Sequence, residues 1–108
     1  MDSILKKYID CFHNLNEKNI DNLLKCMSEE VIFIDPFNKI IGKNGVRKVF
    51  QNLFKKTKQP KFEVLYSIGD RKTKLIKWTF SCMIFNKLIR FSGLSEIEIK
   101  RNLIIKHE

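Results

Sequence analysis

Apolar residues in the first half of the chain recur with the period of an α-helix. Their i, i+3, i+4 and i+7 spacing predicts amphipathic helices over roughly residues 3–15, 20–27 and 44–54. The apolar stripes are formed by Leu5, Tyr8, Ile9 and Phe12, by Ile20, Leu23, Leu24 and Met27, and by Val46, Val49, Phe50, Leu53 and Phe54. Asn44 is a predicted N-cap for the third helix.

From Lys61 the apolar period changes to two, which predicts long antiparallel strands. The expected turns are Gly69-Asp70, Asn86-Lys87 and Arg101-Asn102. In the last strand we expect Leu103, Ile105 and His107 on one side. Gly93, in the middle of a strand, is the expected bend. Helices followed by such strands predict an α+β domain spanning residues 1–108, with three helices on one face of a curled sheet.

One acidic residue stands at the end of an apolar run, Val31 to Ile34, that predicts a strand. Asp35 follows this run directly, and Pro36 favours an extended Asp35 and ends the strand. Burial of a carboxylate costs several kcal/mol unless it is paired, neutralised or used. Asp35 is therefore either a functional acid or a loop cap that accepts backbone N–H bonds.

Composition narrows the class of protein. The 108 residues are 44% hydrophobic and 31% charged, and no apolar run approaches the roughly 20 residues of a membrane span. The N-terminus, including Asp2, is not typical of a signal peptide, so we expect a cytoplasmic protein. Cys11, Cys26 and Cys82 lack the spacing of a disulfide framework or a zinc site, which predicts buried thiols.

The net charge of +9 would raise affinity for polyanions. The positive charge is nearly all lysine and is spread along the chain, whereas phosphate and base recognition favours arginine. The abundance of lysine, isoleucine and asparagine also fits an AT-rich genome. Nucleic-acid binding is therefore a minor alternative.

The order of the predicted elements resembles the nuclear transport factor 2-like cone fold, which includes ketosteroid isomerases and SnoaL-like polyketide cyclases. The residues that carry this resemblance are Tyr8-Ile9-Asp10, the run from Val31 to Phe37, the loop from Gly42 to Val46, and the strand from Phe91 to Ile97. The resemblance implies a cone-shaped α+β fold with a strongly curved, mixed or antiparallel sheet and three helices on its concave side. Because this fold hosts enzymes and non-enzymes, it does not fix the function.

The resemblance also implies roles for individual residues. Asp35 matches the general base of the ketosteroid isomerases, and Tyr8 matches the phenol that stabilises the substrate oxyanion. The position of the second oxyanion donor, an acid in that family, holds Ser95 here, which is a poorer proton donor. His107 matches a cavity-facing polar position of SnoaL-like proteins, and its alternative is a solvated terminal histidine. Tyr8 has an alternative as an ordinary core aromatic.

Together these residues predict an apolar pocket between helices and sheet, with Asp35, Tyr8, Ser95 and His107 as candidate catalytic groups. The predicted lining is Phe12, Phe33, Phe50, Phe54, Trp78, Phe91 and Ile97.

The predicted ligand is a small hydrophobic carbonyl compound. The predicted activity is that of an isomerase, a cyclase or a lyase. It uses no metal and no cofactor. The alternative is a non-catalytic ligand-binding or protein-interaction module. We expect a homodimer through the sheet and no membrane partner.

Overall fold

The computed structural model describes residues 3–108. Met1 and Asp2, which contributed to the signal-peptide argument, lie outside the described residues. The described chain forms three helices, which are α1 (Ser3–His13), α2 (Ile20–Leu24) and α3 (Lys43–Lys56). It also forms six strands, which are β1 (Met27–Ile34), β2 (Lys39–Ile41), β3 (Lys58–Gly69), β4 (Thr73–Ile84), β5 (Lys87–Lys100) and β6 (Leu103–His107).

The six strands make one curved, mixed sheet in the order β2-β1-β6-β5-β4-β3, and this sheet does not close on itself. Neighbouring strands are antiparallel except for β1 and β6, which run parallel. The last strand therefore lies in the middle of the sheet, between the two halves of the chain. The helices pack on the concave side, so the cone-shaped α+β fold predicted from the sequence is confirmed.

The helical stripes form the core as their spacing predicts. In α1 the buried side chains are Ile4, Leu5, Tyr8 and Phe12, and α3 buries Val46 and Phe50. Helix α3 begins one residue before Asn44. Its N-cap is Gly42, whose φ of 96° is a conformation that favours glycine. The predicted N-cap role of Asn44 is therefore wrong.

The segment around Asp35 contains more strand than the sequence indicates. Helix α2 ends at Leu24, and β1 starts at Met27, which pairs with Ile104 of β6. Because of this pairing, Met27 belongs to a strand, although its spacing from Leu23 and Leu24 predicts a helix. Strand β2, expected to be loop, is three residues long and pairs Ile41 with Ile32. So short a strand has too few residues to show an alternating pattern.

Strand β6 does not alternate as predicted. Ile104 is fully buried, whereas Leu103 and Ile105 are half-buried, and His107 is buried. The pairing of β6 with β5 shifts register between Glu98 and Ile99, so that a bulge places Ile104 and His107 inward together. The expected inward set of Leu103, Ile105 and His107 is therefore correct only for His107.

Tight turns connect β4 to β5 and β5 to β6. Phe85 and Asn86 have φ values of 48° and 64°, as in a two-residue hairpin turn, which lies one residue before the predicted position. The predicted turn at Arg101-Asn102 is confirmed, with φ values of 53° and 62°.

Gly93 makes room for a side chain on the neighbouring strand. It pairs with Trp78 of β4, and a Cβ atom at Gly93 would overlap the indole ring. The φ of Gly93 lies outside the positive region. Close packing against Trp78 therefore explains the glycine at this position better than a bend in the strand does.

We predict that Gly93→Ala displaces the Trp78 indole and lowers the free energy of unfolding by about 1–3 kcal/mol, because a packed strand pair has no space for the added methyl group. Urea unfolding would measure the change. The matched control is Ser92→Ala at the adjacent position, where we expect a change within about 0.5 kcal/mol. Equal stability of the two variants would contradict this account of Gly93.

Candidate functional site

An open cavity of about 970 Å³ lies between the concave face of the sheet and helices α1 and α3. Most of its wall is apolar, and the polar groups that reach it are few. Apolar side chains in the wall include Phe12, Phe33, Val49, Phe50, Leu53, Phe62, Val64, Ile76, Trp78, Phe80, Ile84 and Phe91. Polar side chains in the wall include Asp35, Asn38, Asn52, Lys56, Thr57, Ser92, Ser95, His107 and Glu108. An apolar cavity with a few polar groups is typical of a small-molecule site.

The aromatic side chains of the wall pack edge to face. The Phe12 ring lies 5.9 Å from Phe50 and 5.4 Å from Phe62, between ring centroids. Of the seven predicted lining residues, five contribute to the wall, whereas Phe54 and Ile97 do not. Ile97 is fully buried in the core, and Phe54 packs against that core.

The predicted lining omitted Phe62, Val64 and Phe80, which also contact the cavity. Phe62 and Phe80 face each other in the β3–β4 pairing, with ring centroids 4.6 Å apart. The alternation of β3 already placed Phe62 and Val64 on one face. Their face could have been assigned to the cavity only once the pairing with Trp78 and Phe80 of β4 was known.

Asp35 lies at the end of β1, in the wall of the cavity, and is half-buried. Its Oδ1 atom accepts hydrogen bonds from the backbone N–H groups of Phe37 and Asn38, at 2.8 and 2.7 Å. The side-chain amide of Asn38 donates to Oδ1 at 3.1 Å and to Oδ2 at 3.2 Å. Asp35 therefore stabilises its loop through Oδ1, while Oδ2 has a single, longer hydrogen bond.

His107 is a buried polar residue in the wall of the cavity. Its Nδ1 atom is 2.7 Å from the hydroxyl oxygen of Tyr8 on α1. Its ring lies 4.9 Å from Phe33, between centroids, because β6 pairs His107 with Phe33 of β1. The alternative of a solvated terminal histidine is therefore wrong.

Tyr8 is fully buried and is not part of the cavity wall. Its hydroxyl contacts His107, so any effect of Tyr8 on a bound molecule passes through the imidazole. Burial raises the pKa of Tyr8 well above its usual value, and the nearby thiols of Cys26 and Cys11 add to this effect. The phenol therefore keeps its proton.

Burial also determines the charge of His107. It lowers the pKa of the imidazole to about 4, although the negative charge of Asp35 acts in the opposite direction. His107 is therefore neutral near pH 7. If Nδ1 carried the proton, the buried Tyr8 hydroxyl would have no acceptor, which is costly. We therefore assign the bond as Tyr8 donating to Nδ1, with the ring proton on Nε2.

The Nε2 atom of His107 faces the cavity. Within residues 3–108, Nε2 has no hydrogen-bond partner. In the same range, every side-chain nitrogen or oxygen atom that is inaccessible to solvent does have a partner. Nε2 must therefore be accessible, and His107 belongs to the cavity wall. The Tyr8–His107 pair presents a neutral N–H donor to the cavity, and Asp35 supplies an acceptor.

Ser95 is buried in the cavity wall beside Trp78. The indole Nε1–H of Trp78 donates a hydrogen bond of 2.8 Å to the Ser95 hydroxyl oxygen. This bond fixes the plane of the indole ring over Gly93. Ser95 thus has a structural partner, and its hydroxyl proton remains for one further bond.

A metal site and a membrane-spanning helix are both absent from the described residues. Across residues 3–108, no three His, Cys, Asp or Glu side chains are arranged to hold a metal ion. In the same range, none of the helices has the length and apolar character needed to cross a membrane.

A curved α+β cone whose concave face encloses an apolar cavity defines the nuclear transport factor 2-like class of proteins. The sequence model of the SnoaL-like domain matches residues 5–107, so the chain belongs to that family. No curated protein matches the sequence.

Solved structures with this fold are similar over nearly the whole chain. An NTF2-like protein of unknown function from Exiguobacterium sp. 255-15 is 16% identical, with a TM-score of 0.83 over 97% of this chain and 94% of that chain. A putative polyketide cyclase from Sinorhizobium meliloti is 17% identical, with a TM-score of 0.80 over 100% and 94%. An LEH-like epoxide hydrolase from M. tuberculosis is 11% identical, with a TM-score of 0.77 over 98% of this chain and 77% of that chain. At these identities the likeness shows the fold alone.

The depressed pKa of His107 predicts a pH-dependent stability. Between pH 6.5 and about 4 the unfolded chain binds a proton at this histidine that the folded chain does not bind. The contribution of His107 is therefore fully present above pH 6.5 and falls as the pH decreases to about 4. The loss amounts to about 3 kcal/mol at 1.36 kcal/mol for each unit of pKa.

Urea unfolding of wild type and His107→Gln between pH 7.5 and 4 tests this dependence. We expect the stability difference between the two proteins to change by about 3 kcal/mol over that interval. His13→Gln is the control, because it keeps His107 and removes the exposed histidine, which accepts a bond from the Val64 N–H. Parallel pH curves for wild type and His107→Gln would disprove the assignment.

Proposed function

We propose that this protein binds a small hydrophobic carbonyl compound in the cavity and removes a proton from the carbon next to the carbonyl group. The observation that carries the proposal is the Tyr8–His107 hydrogen bond, which leaves Nε2–H directed into an apolar cavity that also contains the Asp35 carboxylate. A donor for the carbonyl oxygen and a base for the adjacent carbon are the two groups that enolisation needs.

In the proposed step, Oδ2 of Asp35 takes the proton as the C–H bond breaks. The electron pair moves to the carbonyl oxygen, which accepts a hydrogen bond from Nε2–H of His107. Asp35 then returns the proton to the same or another carbon, or the carbanion attacks a second carbonyl group to close a ring. No metal or cofactor takes part in this proposal.

Each residue has a separate task in this proposal. Oδ1 of Asp35 accepts hydrogen bonds from the backbone N–H groups of its loop, which hold the carboxylate in place. Oδ2 then remains for the substrate. Tyr8 is a positioning residue, because it fixes the tautomer and the ring plane of His107. The Trp78–Ser95 bond supports one apolar wall against which the ligand packs.

Trp78 is the single tryptophan of the chain and lines the cavity, so its fluorescence reports on ligand binding. We predict that β-tetralone, a bicyclic ketone, changes the Trp78 emission in a saturable way. We also predict that the protein accelerates exchange of the ketone's α-protons for deuterium, followed by proton NMR. Asp35→Asn should reduce the acceleration by about 100-fold or more, while the affinity changes by less than about 3-fold.

The matched control is Asp70→Asn. Asp70 accepts backbone bonds from Lys72 and Thr73, which repeats the loop-capping geometry of Asp35 in an exposed turn that does not line the cavity. Asp70→Asn should exchange the ketone at the wild-type rate. Equal exchange by wild type and Asp35→Asn would end the catalytic assignment and leave a binding protein. Unchanged Trp78 emission up to saturating ketone would end the assignment of the ligand.

We also propose that the protein forms a homodimer through the sheet. Support comes from exposed apolar side chains on β3 and β5, where Ile68 is 57% exposed, Leu88 67% and Leu94 55%. Exposed apolar patches of this kind on sheets commonly mark protein contacts. Leu94 also lines the cavity, so a partner that covers Leu94 would border the cavity.

We predict that Leu94→Glu converts the dimer to a monomer, because it places a charge in the contact. Light scattering during gel filtration gives the mass. Leu65→Glu, on β3 and similarly exposed at 51%, shows whether the contact extends to the sheet edge. A wild-type protein that elutes as a monomer at about 100 μM would disprove the dimer.

A further inference from the structure

Two cysteine side chains meet on the side of α1 that faces away from the main cavity. Cys11 belongs to α1 and is half-buried, and Cys26 follows α2 and is buried. Both line a second, smaller cavity together with Lys7 and Lys25. The Cys11 thiol is close enough to the Cys26 thiol to raise the pKa of Cys26. The Cys26 thiol itself donates to the backbone oxygen of Asn22 at 3.7 Å.

We propose that Cys11 and Cys26 form a reversible intramolecular disulfide when the protein meets a peroxide. The two thiols are neighbours in space and line one shared cavity. They lie on the last turn of α1 and on the junction between α2 and β1. This inference is independent of the proposed ligand and reaction.

The first step takes place at Cys11. Its thiolate attacks one oxygen of hydrogen peroxide, so that an S–O bond forms, the O–O bond breaks, and the departing hydroxide takes a proton to become water. The product is a sulfenic acid at Cys11. The Cys26 thiolate then attacks this sulfur, an S–S bond forms, and the S–O bond breaks to release a second water. Two thiols lose two electrons in total, and the peroxide gains them.

The surroundings of the two cysteines determine which of them reacts first with the peroxide. Burial and the neighbouring Cys11 raise the pKa of the Cys26 thiol to about 11, so Cys26 is a poor initial nucleophile. Cys11 is the more accessible thiol, and Lys7 and Lys25 line the cavity that a peroxide would enter. Cys82 is buried in β4 and lines neither cavity, so it takes no part.

A disulfide here would restrain a loop of about 15 residues in the unfolded chain, which stabilises the folded state. It would also join α1 covalently to the start of β1. Tyr8 lies one turn before Cys11 on α1, close enough for both thiols to raise its pKa. The restraint would therefore act on the turn that carries the partner of His107.

The test uses the full chain, reduced and then treated with equimolar hydrogen peroxide. After quenching, free thiols are alkylated in denaturant and mapped by mass spectrometry. We expect the monomer to lose two hydrogen atoms, Cys11 and Cys26 to be protected, and Cys82 to be alkylated. We also expect the melting temperature to rise by about 5 °C and to return after treatment with dithiothreitol.

Three serine variants separate this disulfide from other oxidation. Cys82→Ser should behave like wild type, whereas Cys11→Ser and Cys26→Ser should lose the cross-link and the temperature shift. Cys26→Ser should accumulate sulfenic acid at Cys11, which dimedone labels. A disulfide between two chains, a cross-link that includes Cys82, or oxidation of Cys11 to the sulfinic acid without a cross-link in the wild type would each overturn the proposal.

Discussion

The hydrogen bond between Tyr8 and His107 joins the first helix to the last strand and organises the inner end of the cavity. Both side chains are buried, so neither can replace its partner with bulk water. The bond determines the tautomer of His107, and burial keeps the ring neutral. The phenol thus serves as a fixed support for the imidazole, and the imidazole is the group that a ligand would meet.

The position of His107 depends on two features of the sheet. The parallel pairing of β1 and β6 places His107 beside Phe33, and the shift in register between β6 and β5 turns it inward together with Ile104. Without that shift, strict alternation would direct Ile104 and His107 to opposite faces. A local irregularity in pairing therefore places one of the polar groups of a mostly apolar wall, and β-bulges are common near functional sites.

The sequence predicted the fold more completely than the site for a physical reason. Helix stripes such as Leu5, Tyr8 and Phe12 and the alternation in β3 to β5 are local signals, and the elements follow from them. Features that depend on partners distant in the chain could not be predicted from local spacing. They include the parallel pairing of Met27 with Ile104 and the short strand β2. The sequence predicts that Tyr8 and His107 both reach one cavity. In the structure only His107 of the two lines the cavity, and Tyr8 bonds to it from the core.

The ketosteroid isomerases, which the sequence resembles, use an acid as their second oxyanion donor, and the resemblance predicts Ser95 at that position. In the structure the Ser95 oxygen accepts the indole N–H of Trp78, so this hydroxyl already contributes to the wall. The neutral imidazole of His107 is the donor that the cavity offers instead. An imidazole N–H is a weaker acid than a carboxylic acid and stabilises an enolate less, so in the proposed reaction we expect an activated carbonyl compound to react faster than a simple ketone.

Asp35 shows how one carboxylate can serve both a loop and a site. The loop uses Oδ1, which accepts two backbone N–H groups, and Pro36 holds the backbone of Asp35 extended. Among residues 3–108, the Asn38 amide is the one hydrogen-bond partner of Oδ2, at 3.2 Å. A carboxylate fixed through one oxygen loses little further freedom when the other meets a substrate, which lowers the entropic cost of orientation. The loop-capping role and the proposed role as a base are therefore compatible, and the first prepares the geometry for the second.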